Sequence, residues 1–105
     1  MTLIPANHTL PALYANEDSD ADNTLVYVRL FSPNGSEWYL TEYDPTNHLA
    51  FGYAYISGGY PELGYISIAE MEALNAARAV PAIERDMYFT PCTLTEAMER
   101  VNATA

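Results

Sequence analysis

The sequence contains no lysine, and its basic residues are four arginines and two histidines. The sequence also contains fourteen aspartates and glutamates, so the formal net charge of the 105 residues is −10. A surface this acidic repels phosphate backbones and anionic lipid, and it offers few cations to neutralise them. The missing lysines therefore exclude direct binding to nucleic acid or to a membrane surface, and they favour a partner that is itself basic.

The chain also lacks the features of a membrane-spanning or secreted protein. No apolar run approaches the roughly 20 residues that a membrane helix needs. Residues 1–5 show no basic segment followed by a long apolar stretch, as a signal peptide would. Cys92 is the single cysteine and cannot form an internal disulfide, which suits a reducing compartment. These absences predict a cytoplasmic protein.

Recognisable metal-binding and catalytic motifs are missing as well. Asp18, Asp20 and Asp22 alternate as the first ligands of a calcium loop do. The glycine that such a loop needs is replaced by Asn23, however, and its last ligand position falls on Arg29, which cannot bind a cation. We therefore predict no metal and no cofactor. We name no catalytic residue, and the balance is against an enzyme.

The chain is nevertheless rich in core-forming residues, because half of it is apolar and it contains nine tyrosines. This composition is not that of a disordered chain and predicts one domain over residues 1–105. Aromatic residues on a sheet can stack nucleic-acid bases, but such platforms need basic neighbours. Packing in the core, and a protein-binding patch for the remainder, explain the tyrosines better.

Alternating apolar residues predict strands over residues 25–31, 37–43 and 49–56, and a short fourth strand over 63–66. Strict alternation in the second strand places Trp38 and Leu40 on one face and Tyr39 and Tyr43 on the other. In the third strand, the small residues Ala50, Gly52 and Ala54 share a face and leave room for close approach by a helix or by backbone.

Two capping boxes mark helix starts, one at Ser67 with Glu70 and one at Thr93 with Glu96. Thr9 and Pro11 indicate a third, short helix over residues 9–15. The order of elements predicts an α+β fold, in which an antiparallel meander of three to four strands packs with two or three short helices.

Two sets of polar residues are candidates for function. The first is an acidic surface for meeting a basic protein, and its carboxylates are Glu17, Asp18, Asp20, Asp22, Glu37, Glu42, Asp44, Glu62, Glu70 and Glu72. The second is a polar site of a small enzyme or ligand-binding domain, at predicted strand ends and turns; it comprises Glu42, Asp44, Glu62 and Arg85. In a purely structural alternative, Arg85 forms an ion pair with Glu42 or Asp44 and pins the C-terminal segment to the sheet.

Several short segments occur in a characteristic order along nearly the whole chain. They are Leu10-Pro11-x-Leu13-Tyr14, Phe31-Ser32-Pro33, Trp38-Tyr39-x-x-Glu42-Tyr43-Asp44, Phe51-Gly52-Tyr53, Glu62-Leu63-Gly64-Tyr65 and Glu84-Arg85-Asp86-x-Tyr88-Phe89-x-Pro91. In these segments the chain resembles a bacterial family catalogued as domain of unknown function 2958. The resemblance implies a small protein often carried on plasmids, phages and other mobile elements, with no established activity. The missing lysines and the acidic segment 17–22 depart from the family's pattern.

Charge and resemblance together lead to an expectation for the function. We expect a small acidic protein-interaction module, in its most specific form a DNA mimic that inhibits a host nuclease or other nucleic-acid-binding defence protein. Duplex DNA carries one charge per ~1.7 Å, so ten net charges correspond to roughly 17 Å of duplex. The alternatives are the small enzyme or ligand-binding domain, an accessory protein for plasmid or phage maintenance, and a charge that serves only solubility.

Overall fold

The sheet is an antiparallel meander, as the alternating sequence pattern predicts. The computed structural model describes residues 2–104. In chain order the elements are a 3-10 helix (Ala21–Asn23), β1 (Leu25–Val26), β2 (Val28–Phe31), β3 (Glu37–Asp44), β4 (Leu49–Tyr55), β5 (Glu62–Ser67), α1 (Ile68–Ala76), β6 (Glu84–Arg85), β7 (Cys92–Thr93) and α2 (Leu94–Thr104). Strands β2 to β5 are hydrogen-bonded to their sequence neighbours, and β6 adds a fifth strand at the β2 edge. The α+β class is confirmed. The main sheet has five strands rather than the predicted three to four, β1 and β7 form a second sheet, and residues 2–104 contain two α-helices.

The strand predicted over residues 25–31 is divided at Tyr27. Its first part, β1, pairs with β7 in a separate two-stranded sheet, with Leu25 opposite Thr93. Its second part, β2, pairs with β3 and β6. The Tyr27 N–H donates to the Leu40 carbonyl at 3.0 Å, so the chain stays attached to β3 across the break. The division brings β7, and with it the start of α2, onto one face of the main sheet.

Each face of the five-stranded sheet carries its own core. One core packs the N-terminal segment and the start of α1 against the sheet, and it includes Leu3, Leu30, Leu40 and Ile68, all essentially inaccessible to solvent. The other packs α2 against the opposite face; its buried members are Val26, Tyr39, Tyr53, Leu94, Ala97 and Val101. Neither helix within residues 2–104 has the length and apolar content needed to cross a bilayer.

A β-bulge in β3 changes which side chains share a face. Leu40 pairs with Gly52 and Glu42 with Phe51, so Thr41 is the extra residue. After the bulge Tyr43 joins the core that contains Leu40, whereas Tyr39 belongs to the opposite core. The prediction that Tyr39 and Tyr43 share a face is therefore wrong, because alternation with a period of two assumes an uninterrupted strand.

Both predicted caps are present at the helix starts, but only the second is a complete capping box. Ser67 Oγ accepts from the Glu70 N–H at 3.1 Å, which caps α1. At α2 the exchange is reciprocal: Thr93 Oγ1 accepts from the Glu96 N–H, and Glu96 Oε1 accepts from the Thr93 N–H, each at 3.1 Å. The helix predicted over residues 9–15 is absent. Residues 13–18 form turns instead, and Tyr14 has a φ of 72°, which no right-handed helix permits.

The bulge predicts that alanine is tolerated differently at Gly52 in β4 and at its pairing partner Gly64 in β5. A Cβ on Gly52 would lie 2.0 Å from the Tyr39 carbonyl oxygen, whereas a Cβ on Gly64 would meet nothing within 4 Å. Gly52→Ala should therefore lower the free energy of unfolding by about 3 kcal/mol or more, because backbone would have to move. Gly64→Ala is the matched control and should change it by less than ~0.5 kcal/mol. Urea unfolding measures both, and equal effects would contradict the described bulge.

The α2 capping box predicts that the stability contributed by Glu96 depends on pH. The hydrogen bonds from the Thr93 N–H and hydroxyl lower the pKa of Glu96 below its ordinary value of 4.5. Because the folded-state pKa is the lower one, the carboxylate stabilises the fold above pH 4.5, and this contribution is lost as the pH falls through the folded-state pKa. The melting temperature of Glu96→Gln should thus lie below that of the parent at pH 7, and the gap should close as the pH falls below 4.5 and through the folded-state pKa. A gap that is independent of pH would count against the carboxylate's role.

Candidate functional site

A cavity of about 300 Å³ opens between residues 14–19 and the face of the sheet that carries α2. The walls come from three strands and one loop. Thr41 and Glu42 contribute from β3, Phe51 from β4, and Leu63 and Tyr65 from β5. Since Glu42 is opposite Phe51 and Phe51 is opposite Tyr65, these three side chains form one row across the sheet. The bulge places the Glu42 side chain in this row.

Glu42 is a buried carboxylate that holds the loop by two hydrogen bonds. Its side chain is only 5% exposed. Oε1 accepts from the Tyr14 N–H at 2.7 Å, and Oε2 accepts from the Asn16 N–H at 3.1 Å. No arginine or histidine within residues 2–104 forms an ion pair with it. Buried charges are usually paired with an opposite charge, so Glu42 is an anion that the described part of the chain leaves uncompensated.

The cavity wall also contains an unsatisfied hydrogen-bond donor. The side-chain amide Nδ2 of Asn16 is buried and has no hydrogen-bond partner. Buried amide groups of this kind nearly always have a partner in native proteins. Asn16 and Glu42 therefore line one cavity with complementary capacities, an unused donor on the first and remaining acceptor sites on the second.

Aromatic and aliphatic side chains form an exposed rim around the cavity. The Tyr65 hydroxyl donates to the Tyr14 hydroxyl at 2.8 Å, and the Phe51 and Tyr65 rings meet edge to face with centroids 5.4 Å apart. This hydrogen bond raises the pKa of Tyr65. Tyr14 is 61% exposed, Tyr65 55% and Leu63 46%. We call Tyr14, Leu63 and Tyr65 the aromatic rim.

The backbone at the rim adopts an unfavourable conformation. A φ of 72° is rare for a bulky residue such as Tyr14 and costs roughly 1–3 kcal/mol. The Glu42 carboxylate holds the N–H of this same residue, so the two hydrogen bonds to the carboxylate offset the strain. The position of the Tyr14 ring therefore depends on Glu42.

An acidic surface borders the cavity. Glu17 lines the cavity, and Asp18, Asp20 and Asp22 follow it on the exposed surface. The Thr95 hydroxyl donates to Asp22, which brings the first turns of α2 beside this segment. We define the acidic patch as Glu17, Asp18, Asp20, Asp22, Glu96 and Glu99. No group of His, Cys, Asp or Glu side chains within residues 2–104 is arranged to hold a metal ion.

The other carboxylates predicted for interaction lie elsewhere, and three of them have internal partners. Glu37 forms an ion pair with Arg29 at 2.7 Å, and Glu72 accepts from the Leu3 N–H at 3.1 Å. Asp44 accepts from the Thr46 N–H at 2.9 Å and from Asn47, whose side-chain hydrogen bond lowers the pKa of Asp44. Glu62 and Glu70 are exposed, away from the acidic patch. The ten predicted carboxylates therefore do not form one surface.

The predicted polar site near Arg85 is not assembled, and its ion pair is absent. The pairing register runs from Glu62 across the sheet to Arg85 at the opposite edge, four strand spacings or roughly 19 Å away. Arg85 donates to the Thr2 carbonyl at 3.2 Å rather than to Glu42 or Asp44.

Arg29 fills the role that was predicted for Arg85. It bonds Glu37 and, at 3.2 Å, Asp86, and so ties the C-terminal segment to the sheet.

The sequence pattern indicates neither the loop residues of the site nor the α2 carboxylates. Tyr14 falls in the helix predicted over residues 9–15, and no motif points to Asn16, although a buried acid on a strand needs donors from elsewhere in the chain. The predicted acidic surface leaves out Glu96 and Glu99, because the contact of α2 with the 3-10 helix Ala21–Asn23 depends on the pairing of β1 with β7.

Removing the buried carboxylate should destabilise the fold. Glu42→Ala leaves the N–H groups of Tyr14 and Asn16 without their acceptor, and we expect the free energy of unfolding to fall by about 1–3 kcal/mol. Glu42→Gln retains one acceptor oxygen and should lose less. The exposed carboxylate variant Glu62→Gln is the control and should stay within about 0.5 kcal/mol of the parent. Urea unfolding tests this, and an unchanged or increased stability of Glu42→Ala would show that the carboxylate does not hold the loop.

Comparison with known proteins identifies a family. Residues 5–103 match the family described as Protein of unknown function (DUF2958). No curated protein and no solved structure matches the chain at a significant level. The match spans nearly the whole sequence and agrees with the resemblance found in the motifs, so the chain belongs to the family of proteins of unknown function DUF2958.

Proposed function

We propose that this protein is a small acidic protein-interaction module that binds a basic surface of a partner protein. One observation carries the proposal: the acidic patch adjoins the aromatic rim, and the rim encloses a buried carboxylate without a cationic partner among residues 2–104. Such a surface lacks a cation at its centre and presents anions around it. A basic partner supplies the missing charge.

The aromatic rim supports protein binding rather than a charge that serves only solubility. Tyrosine is enriched at protein–protein interfaces, where a few buried aromatic side chains contribute much of the binding energy. An isolated exposed apolar residue needs no explanation, but Tyr14, Leu63 and Tyr65 are grouped around one cavity. Carboxylates beside such a group accelerate encounter with a basic partner and discriminate against acidic ones.

The more specific version of the proposal is a mobile-element-encoded inhibitor that mimics DNA at a host nucleic-acid-binding defence protein. The net charge of −10 and the absence of lysine support it. The acidic patch is the part of the surface suited to a cationic groove, since all six of its carboxylates are exposed, whereas Glu42 is buried and Glu37 is paired with Arg29. In this version the patch and the rim contact the partner together.

A ligand-binding domain is a second candidate, and the cavity beside Glu42 favours it. Its volume of about 300 Å³ lies at the lower end of the range for small-molecule sites. In this candidate the occupant is a free small molecule, and the acidic patch has no part in recognition.

The proposal predicts binding that depends on salt and on the acidic patch. Asp18→Asn/Asp20→Asn/Asp22→Asn removes three charges but keeps side-chain acceptors, including the Asp20 oxygen that caps the 3-10 helix. We expect its affinity for the partner to fall by about tenfold. Raising the salt from about 0.1 M to 1 M shortens the Debye length from about 10 Å to about 3 Å and should release the partner from the parent protein. Affinity purification from a bacterial host, followed by titration of the recovered partner, measures both effects.

The matched control is Glu62→Gln/Glu70→Gln/Glu84→Gln. It changes the net charge by the same three units, from −10 to −7, at exposed positions outside the patch. Its partner affinity should stay within about twofold of the parent. Equal losses of partner affinity in both triple variants would show that net charge, rather than the acidic patch, determines binding. Binding that resists high salt and ignores the patch would overturn the proposal.

A further inference from the structure

We infer that the cavity beside Glu42 receives the guanidinium group of an arginine side chain from the basic partner. The inference rests on the proposed function, because the arginine belongs to the partner protein. It goes further in naming the residue type that is recognised and the atoms that recognise it.

The first argument is charge. Glu42 is 95% buried, yet its only hydrogen-bond donors among residues 2–104 are two backbone N–H groups. An uncompensated buried carboxylate is costly, and a cation bound beside it recovers that cost. Glu17 at the cavity and the neighbouring acidic patch add negative potential, which disfavours an anionic occupant.

The second argument is the geometry of the carboxylate. A carboxylate has about four acceptor positions, two on each oxygen. The Tyr14 N–H uses one position on Oε1, and the Asn16 N–H uses one on Oε2. One position therefore remains on each oxygen. A guanidinium presents several N–H donors in a rigid planar fork, whereas an ammonium is a point charge.

The third argument is the cavity wall. Guanidinium groups stack on aromatic faces, and the cavity is lined by the rings of Tyr14, Phe51 and Tyr65. The chain's own Arg29 shows the same combination of partners. Its Nε and Nη2 both donate to the same oxygen, Glu37 Oε1, at 3.0 and 2.7 Å, and its guanidinium carbon lies 5.1 Å from the centroid of the Phe31 ring.

The fourth argument is size. The volume of about 300 Å³ suits one side chain rather than a large cofactor.

The test is a titration of the ¹⁵N-labelled protein with acetyl-arginine-N-methylamide, followed by NMR. We expect the backbone amide signals of Tyr14 and Asn16 to shift, because their N–H groups share the Glu42 carboxylate with the ligand. The corresponding lysine compound should bind about fivefold more weakly, and the uncharged citrulline compound at least tenfold more weakly. If the citrulline compound bound as tightly as the arginine compound, the site would not require a positive charge. If the lysine compound bound as tightly, the site would not require the planar guanidinium donors. Either result overturns the inference.

Variants locate the site. Glu42→Gln should weaken binding of the arginine compound by at least tenfold. Because this change also affects stability, Tyr65→Ala provides a second variant at an exposed position, and it should weaken binding by about threefold. Tyr60→Ala removes a ring that is 93% exposed outside the cavity, and it should leave binding unchanged. Unchanged binding in a folded Glu42→Gln or in Tyr65→Ala would contradict the assignment.

The acidic-patch variant separates the two proposals. Asp18→Asn/Asp20→Asn/Asp22→Asn should weaken binding of the partner protein more than binding of the arginine compound, because none of the three side chains lines the cavity. Partner binding that depends on the patch, together with no response to the arginine compound, would overturn the cavity inference alone. A partner that ignores the patch overturns the proposed function itself.

Discussion

The extra residue in β3 is the constraint on which the candidate site depends. Without the bulge at Thr41, Glu42 would follow Trp38 and Leu40 onto the face that packs against α1, where an unpaired charge could not be accommodated. With the bulge, Tyr43 takes that core position and Glu42 turns to the opposite face. The bulge in turn requires Gly52, since any side chain there would collide with the Tyr39 carbonyl. One local irregularity thus fixes both cores and the cavity.

Glu42 links this irregularity to the loop that closes the site. Its two hydrogen bonds fix the backbone of a loop where the sequence predicts a helix, and they hold Tyr14 in a strained conformation. The same carboxylate is thus a structural anchor and the group with unused acceptor capacity. Strain that is maintained by surrounding structure is common at functional sites, because it orients side chains in advance of binding. The Tyr14 ring is oriented in this way before any partner arrives.

The sequence predicted the meander and its capped helices because these rest on local signals, such as alternation in β2 to β5 and the reciprocal contact of Thr93 with Glu96. It did not predict the site, which depends on non-local contacts. Alternation cannot register one extra residue, so it predicts the wrong face for Tyr43. The close backbone approach predicted at Gly52 is confirmed by the Tyr39 carbonyl, but a glycine inside a strand does not by itself distinguish a bulge from another close approach. The pairing of Glu42 with backbone rather than with Arg85 could not be read from spacing, because the loop that supplies the donors is 26 residues away.

Because the sequence has no lysine, only an arginine or histidine could pair with the Glu42 carboxylate within the chain, and none does among residues 2–104. The arginines have contacts elsewhere: Arg29 with Glu37 and Asp86, Arg85 with the Thr2 carbonyl, Arg78 with the Val80 carbonyl, and Arg100 against the Tyr39 and Phe89 rings. A lysine on the rim, with its long flexible side chain, would reach Glu42 and neutralise it within the chain. Because no such residue exists, the charge at the cavity stays available to a cation from outside. Under the proposed function the excess of acid is more than a surface property, since it leaves one buried anion to be paired by a cation of the partner.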